Sequence, residues 1–244
     1  CVDPTRDRRT DPQVAFARMK RDNKMGAPVL DNLPSPQERT RRELEDVAQN
    51  DEAVILDTRL DRSAFMRHHV PGALYTPFGK TFNTYVGSLL EDETQPIVLL
   101  IDEDDVEEAV RDLVRIGYDN VVGFADLETL DRYFLEGGET ESIDEITFDD
   151  VDGLLEDEEN VVLDVRYKSE FDEEHVEGAL NASYTRMPEY AADLPTDKTL
   201  LVHCATGRRA AVASSFLKKT GRRVKYVNDV FADRTTEKRT AAIA

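Results

Sequence analysis

The chain has 244 residues, 51 acidic against 31 basic side chains and a formal net charge of −20, a size that suits one or two domains. That charge argues against nucleic acid and anionic membrane surfaces as partners, since both need a basic face, and no apolar run reaches the roughly 18 residues of a membrane span. With two cysteines in all, Cys1 and Cys204, a disulfide framework is not expected and a reducing cytoplasm is the default setting. The acid is dispersed along the chain, arginine outnumbers lysine and tryptophan is absent. This fits a protein adapted to high salt, where screening removes self-repulsion, as well as an ordinary acidic cytosolic protein.

In chain order, residues 1–34 are charged and rich in Pro and Gly. They read as a linker or arm holding one short helix over Pro12–Lys24. No basic segment precedes an apolar run, so no signal peptide is read. The first residue is Cys1 rather than Met, which suggests a fragment or a processed product. Residues 35–137 then form a first unit. Val54–Leu56, Ile97–Ile101 and Asn120–Val122 read as buried strands, and Val106–Ile116 as a helix. "EGGETESIDE", Glu136–Glu145, reads as a joint. Residues 138–232 form a second unit, with strands at Val161–Leu163, Leu200–Val202 and Val224–Val227. Its amphipathic helix, Arg209–Lys219, is stopped by Gly221. Residues 233–244 are a polar tail.

The two units repeat each other. Aligning "AVILDTRLDRSAFMRHHVPGALYTP" with "NVVLDVRYKSEFDEEHVEGALNASY" sets Asp57 against Asp164, Arg59 against Arg166, Phe65 against Phe171 and His69 against His175. One residue of slippage is enough. Alternating strands and helices with short links predict an α/β fold, in which each unit is a mainly parallel sheet flanked by helices.

The chemistry concentrates in "HCATGRRA", His203–Ala210. A turn at the carboxyl end of a central strand is where open α/β sheets place their sites. Its N–H groups and the start of the following helix favour an anion there. Gly207 gives the backbone freedom, and Arg208 and Arg209 add positive charge. Together these favour a nucleophilic thiolate at Cys204. A cysteine phosphatase needs five residues between cysteine and arginine; here Arg209 comes one place too early for that ring. The four histidines, His68, His69, His175 and His203, have no zinc-like spacing, and neither a metal nor another cofactor is expected.

The motif Cys204-Ala205-Thr206-Gly207-Arg208-Arg209, preceded by "LDVR…F…HVEGA", resembles the rhodanese family of sulfurtransferases. The duplicated "LDTR…F…HHVPGA" makes the resemblance one to a tandem rhodanese over roughly residues 40 to 230. It implies that Cys204 takes a sulfane sulfur from a small anionic donor such as thiosulfate, or from a persulfide. The sulfur then passes to a thiophilic acceptor through a Cys204 persulfide cradled by the amides of Ala205 to Arg209. On this reading Arg209 closes the loop and Arg208, nearer the mouth, contacts the donor, although the sequence does not separate the two. Asp164 and Arg166 are either a salt bridge at a strand end or substrate contacts. The pair recurs as Asp57 and Arg59, which favours the first role. His175 recurs as His69 and is read as holding a turn.

The resemblance fails in the first unit. Where Cys204 should stand lies Ile101-Asp102-Glu103-Asp104-Asp105, so this unit is expected to be catalytically silent and to wall the site of its neighbour. In the second unit, Asn228-Asp229-Val230-Phe231 replaces the Gly-Gly and Trp that the family often carries. Ala15–Pro34 resembles the joint after the metallo-β-lactamase-like domain of persulfide dioxygenase–rhodanese fusions. That implies either such a partner domain in a longer parent protein or a free-standing protein with an arm. A sulfur-carrier or regulatory module with little turnover of its own stays open beside the thiosulfate sulfurtransferase, and Cys204-dependent phosphatase or arsenate chemistry is disfavoured by the loop length.

Overall fold

The computed structural model describes residues 32–232 and Arg234; Cys1, the expected helix at Pro12–Lys24 and nearly all of the tail lie outside these. The chain divides into two compact units between Ser142 and Ile143, a few residues beyond the boundary at 137/138 read from the sequence. The reason is local. The backbones of His69 and Glu141 bond to each other, and a Glu141 carboxylate oxygen accepts the Gly72 N–H at 3.1 Å. The joint is thereby tied to the first unit.

The first unit holds β1 (Gln37–Glu38), α1 (Arg41–Asn50), β2 (Val54–Asp57), α2 (Arg62–Arg67), β3 (Leu74–Tyr75), α3 (Phe82–Leu89), β4 (Ile97–Leu100), α4 (Val106–Arg115), β5 (Val121–Ala125) and α5 (Leu127–Leu135). The second holds β6 (Asp144–Ile146), α6 (Phe148–Leu154), β7 (Asn160–Asp164), α7 (Lys168–Glu173), β8 (Leu180–Asn181), α8 (Met187–Ala191), β9 (Thr199–His203), α9 (Arg208–Lys219) and β10 (Arg223–Val227). Each sheet has five strands, all parallel, in the orders β1-β5-β4-β2-β3 and β6-β10-β9-β7-β8. Counted from the start of each unit, the two orders are the same. The α/β reading with a flanked parallel sheet in each unit therefore holds. The two-residue strands β1, β3 and β8 and the three-residue β6 were not expected, because runs this short carry no periodic signal.

Central strands are apolar on both faces because helices cover both. Ile97, Val98, Leu99 and Leu100 of β4 are buried throughout, as are Leu200, Leu201 and Val202 of β9. In the second unit Phe148, Val151, Val162, Val176, Leu201, Val227 and Phe231 pack as one core cluster. The helix α9 packs on β9 and β10. It was expected to be amphipathic, yet Ala210, Ala211, Val212, Ala213, Ser214, Ser215 and Leu217 are all buried. Small side chains let this helix lie close to the sheet, so burial spreads beyond one stripe. Among the described residues no helix is long and apolar enough to cross a membrane.

Candidate active site

Register fixes the place of the site. Asp164 at the end of β7 lies opposite His203 at the end of β9, so Cys204 is the first residue beyond the central strand. In the first unit Asp57 lies opposite Leu100 in the same way, which puts Ile101 in the position of Cys204. Glu103–Asp105 forms a turn of 3-10 helix there, and no basic residue occurs from Ile101 to Ala109.

Cys204 is a free thiol, 1% exposed. The chain turns through Ala205 and Thr206 to Gly207, whose φ of 82° lies in the left-handed region that favours glycine. There α9 begins, and its first internal bond runs from the Ala211 N–H to the Gly207 carbonyl. The N–H groups of Ala205 through Ala210 donate to no backbone acceptor among the described residues. They form a loop and a helix start with unspent donors, the kind of concavity that binds anions. The Phe231 N–H bonds the Ala205 carbonyl at 3.0 Å and ties the loop to the chain beyond β10.

The two loop arginines differ. Arg209 donates from Nη1 and Nη2 to the two carboxylate oxygens of Glu170, at 2.6 and 2.9 Å, and its guanidinium lies 5.7 Å from the Tyr167 ring centroid. Burial opposes its charge, but the Glu170 bond and the neighbouring Cys204 and Glu170 charges hold its pKa above the ordinary value. Burial likewise opposes the charge on Glu170. The Arg209 hydrogen bond and charge and the Tyr167 N–H nevertheless keep its carboxyl below the usual range. Arg208 is exposed and has no ion-pair or hydrogen-bond partner among the described residues.

Asp164 is fully buried, and its two oxygens take Arg166 Nε at 3.0 and 2.9 Å and Nη2 at 2.7 Å. Arg166 Nη2 also donates to the Glu174 carbonyl at 2.6 Å. The geometry is that of a clamp tying the end of β7 to the end of α7. Arg59 repeats it, with Asp57 and the His68 carbonyl. His175 pairs Nδ1 with the Phe171 carbonyl at 2.7 Å and stacks on Phe171, as His69 does with Phe65. His203, fully buried, stacks on Phe231 and meets Phe148 edge-on. Its Nε2 has no hydrogen-bond partner among the described residues and lies 3.6 Å from an Asp164 oxygen. Burial pushes its pKa down to about 4 against the pull of Asp164.

The loop and its surroundings thus bring together Cys204, Ala205, Thr206, Gly207, Arg208 and Arg209. Asp164 and Arg166 tie the end of β7 to the end of α7, and His175 holds the turn after α7 through Phe171. Sequence reasoning missed Glu170 and Tyr167 as neighbours of the loop; Phe231 lies in the segment that it set against the family's Gly-Gly and Trp. A signal for Glu170 was present. In the repeat alignment it precedes Phe171, whereas Ala64 precedes Phe65 in the copy without a cysteine. Among the described residues no group of three or more His, Cys, Asp or Glu side chains could hold a metal ion. A cavity of about 280 Å³ opens in the first unit between Pro36, Val106, Val110 and Phe124, edged by Glu103 and Glu107. It is not at the cysteine loop.

Residues 147–232 match the family model described as Rhodanese-like domain. This segment is a rhodanese-like domain. Cys204 and its loop lie inside it. Among solved structures, a rhodanese-related protein from Thermoplasma volcanium is 26% identical over 38% of this chain and 92% of that chain, with a TM-score of 0.36. A thiosulfate sulfurtransferase from Pseudomonas aeruginosa is 18% identical over 82% of this chain and 42% of that chain, with a TM-score of 0.35. A metallo-β-lactamase from Staphylococcus aureus subsp. aureus COL is 26% identical over 48% of this chain and 30% of that chain, with a TM-score of 0.40. No curated protein matches the chain.

Proposed function

We propose that the rhodanese-like domain is a sulfurtransferase that carries sulfur as a Cys204 persulfide. The observation that supports this best is the cysteine at the strand end, followed by a loop and helix start, Ala205 to Ala210, whose N–H groups donate to no backbone acceptor among the described residues. The Cys204 thiolate attacks the outer sulfur of thiosulfate. A new S–S bond forms, the donor's S–S bond breaks, and sulfite leaves with the electron pair. Arg208, exposed and without a partner among the described residues, is the cation for the donor's sulfonate end. The loop amides hold the persulfide. An acceptor thiolate, or cyanide in an assay, then attacks the terminal sulfur and restores the Cys204 thiolate. The first unit, with Ile101 and an acidic turn in the matching place, takes no part in the chemistry.

The same loop disfavours phosphoryl transfer. The residue six places after Cys204 is Ala210, and Arg209, one place earlier, is engaged by Glu170. A metallo-β-lactamase-like partner domain rests on the sequence of residues 15–34 and on no residue of this site.

The test is intact-mass spectrometry after brief incubation with thiosulfate. A gain of one sulfur atom, reversed by cyanide and absent in Cys204→Ser, is expected. If thiosulfate and low-molecular-weight persulfides all leave the mass unchanged, the proposal fails. If the adduct forms but turns over poorly with any small acceptor, the domain is a sulfur carrier for a partner.

A further inference from the structure

We infer that Glu170 is a positioning residue that sets the charge of the cysteine loop, by engaging Arg209 in a two-point ion pair and leaving Arg208 as the cation presented to an incoming anion. The inference deepens the sulfurtransferase reading, but its test does not depend on that activity.

The argument starts from geometry. Arg209 lies in the first turn of α9, five residues after Cys204, and Glu170 lies on α7. A planar guanidinium meeting both carboxylate oxygens fixes orientation as well as charge. The Arg209 and Glu170 side chains keep only 19% and 32% of their exposure, so water screens them less than a surface pair. Glu170 is itself held, since its carboxylate also accepts the Tyr167 N–H at 3.2 Å. Tyr167 in turn lies beside the Arg209 guanidinium. The result is a neutral, immobilised wall on one side of the loop.

The internal repeat separates this pair from the scaffold. The first unit retains the Asp57–Arg59 clamp and the His69–Phe65 stack. It has Ala64 where Glu170 stands and no base in its loop. Glu170 and Arg209 are therefore both absent from the copy that folds the same way without a cysteine. An ion pair needed only to form the unit would not be missing from that copy.

The consequence is electrostatic. With Glu170 in place, the loop offers an incoming anion the amide donors and the single charge of Arg208. With its carboxylate removed, the Arg209 charge is uncompensated beside the sulfur and the loop becomes more attractive to anions. Its geometry also loosens.

The test uses two alkylating agents of similar size, anionic iodoacetate and neutral iodoacetamide, and reads the ratio of their rates at Cys204 in the full chain at low salt. Relative to wild type, Glu170→Gln raises the iodoacetate-to-iodoacetamide ratio by about three- to tenfold, the size expected for one unscreened charge at this range. Glu170→Asp, which keeps the charge, returns the ratio towards wild type. Glu158→Gln removes the same charge from an exposed site and leaves the ratio unchanged. If Glu170→Gln changes both rates by one factor and leaves their ratio at the wild-type value, Glu170 is merely structural and the inference is overturned. If Glu170→Gln does not fold, Arg209→Gln reads the same coupling with opposite sign: Glu170 is then uncompensated and the ratio falls. An unchanged ratio there overturns the inference equally. A failed persulfide assay with a shifted alkylation ratio would sink the sulfurtransferase reading and leave this one standing.

Discussion

The guanidinium of Arg166 lies over the ring of Phe231, in the chain beyond β10, 4.1 Å from its centroid. Phe231 carries this contact onward, because its N–H holds the Ala205 carbonyl and its ring stacks on His203. The end of β7, the end of β9 and the cysteine loop therefore meet at one aromatic side chain. Phe231→Ala removes a buried ring from this junction and should cost about 3–5 kcal/mol of stability, as for other large buried aromatics. Urea unfolding measures the loss. A cost well under 1 kcal/mol would mean that the loop is held by its own geometry rather than by this contact.

His203 gives the second unit an acid sensitivity whose sign can be worked out. Burial holds its folded pKa near 4, below the ordinary value of about 6.5 in the unfolded chain. Between those values the unfolded state binds the extra proton, so stability is full above about pH 6.5 and falls as the pH drops towards 4. From pH 7.5 to 5 this residue alone should cost about 2 kcal/mol. Asp164, Arg166 and Arg234 are the charged groups acting on it. His203→Leu, which installs the residue that Leu100 supplies at the matching position, should remove that increment from the pH dependence of unfolding. His69, also shifted down by burial, would retain its own in the other unit. A variant with the wild-type pH slope would refute the assignment.

Arg208→Ala should raise KM for thiosulfate about tenfold while changing kcat by less than about twofold. That pattern marks loss of binding shared by ground and transition states. Steady-state kinetics decides the matter. An unchanged KM would leave the amide donors as the whole of the anion site.

The net charge of −20 makes a prediction about solvent. If the acidic surface is an adaptation to salt, melting temperature should rise steadily between low and molar KCl as repulsion is screened. A flat or falling curve would assign the charge to ordinary solubility.

The legible parts of this molecule were those with a period or a repeat. The long buried strands appeared as apolar runs, and the paired Asp, Arg and His positions appeared because the sequence states them twice. The edge strands were not legible, since Leu74–Tyr75 or Leu180–Asn181 gains strand character only from its pairing with β2 or β7. The cysteine loop could be read from Cys204, Gly207 and the two arginines. The separation of Arg208 from Arg209 could not, because it depends on Glu170, which lies 39 positions away in the chain and reaches the loop only after folding. The dense burial of α9 was hidden for a similar reason. Alanine and serine look indifferent to burial until a sheet lies against them.

The duplicated clamp has one more consequence. The first unit keeps the strand order, the Asp57–Arg59 grip and the histidine stack while its loop holds Ile101 and four acidic residues. One chain thus carries the same frame twice, once with the cysteine loop and once without it. On the sulfurtransferase proposal, what the two share serves assembly and what only the second possesses serves chemistry. Grafting in either direction, a cysteine loop with its glutamate into the first unit or an acidic turn into the second, would begin from a frame already known to tolerate both.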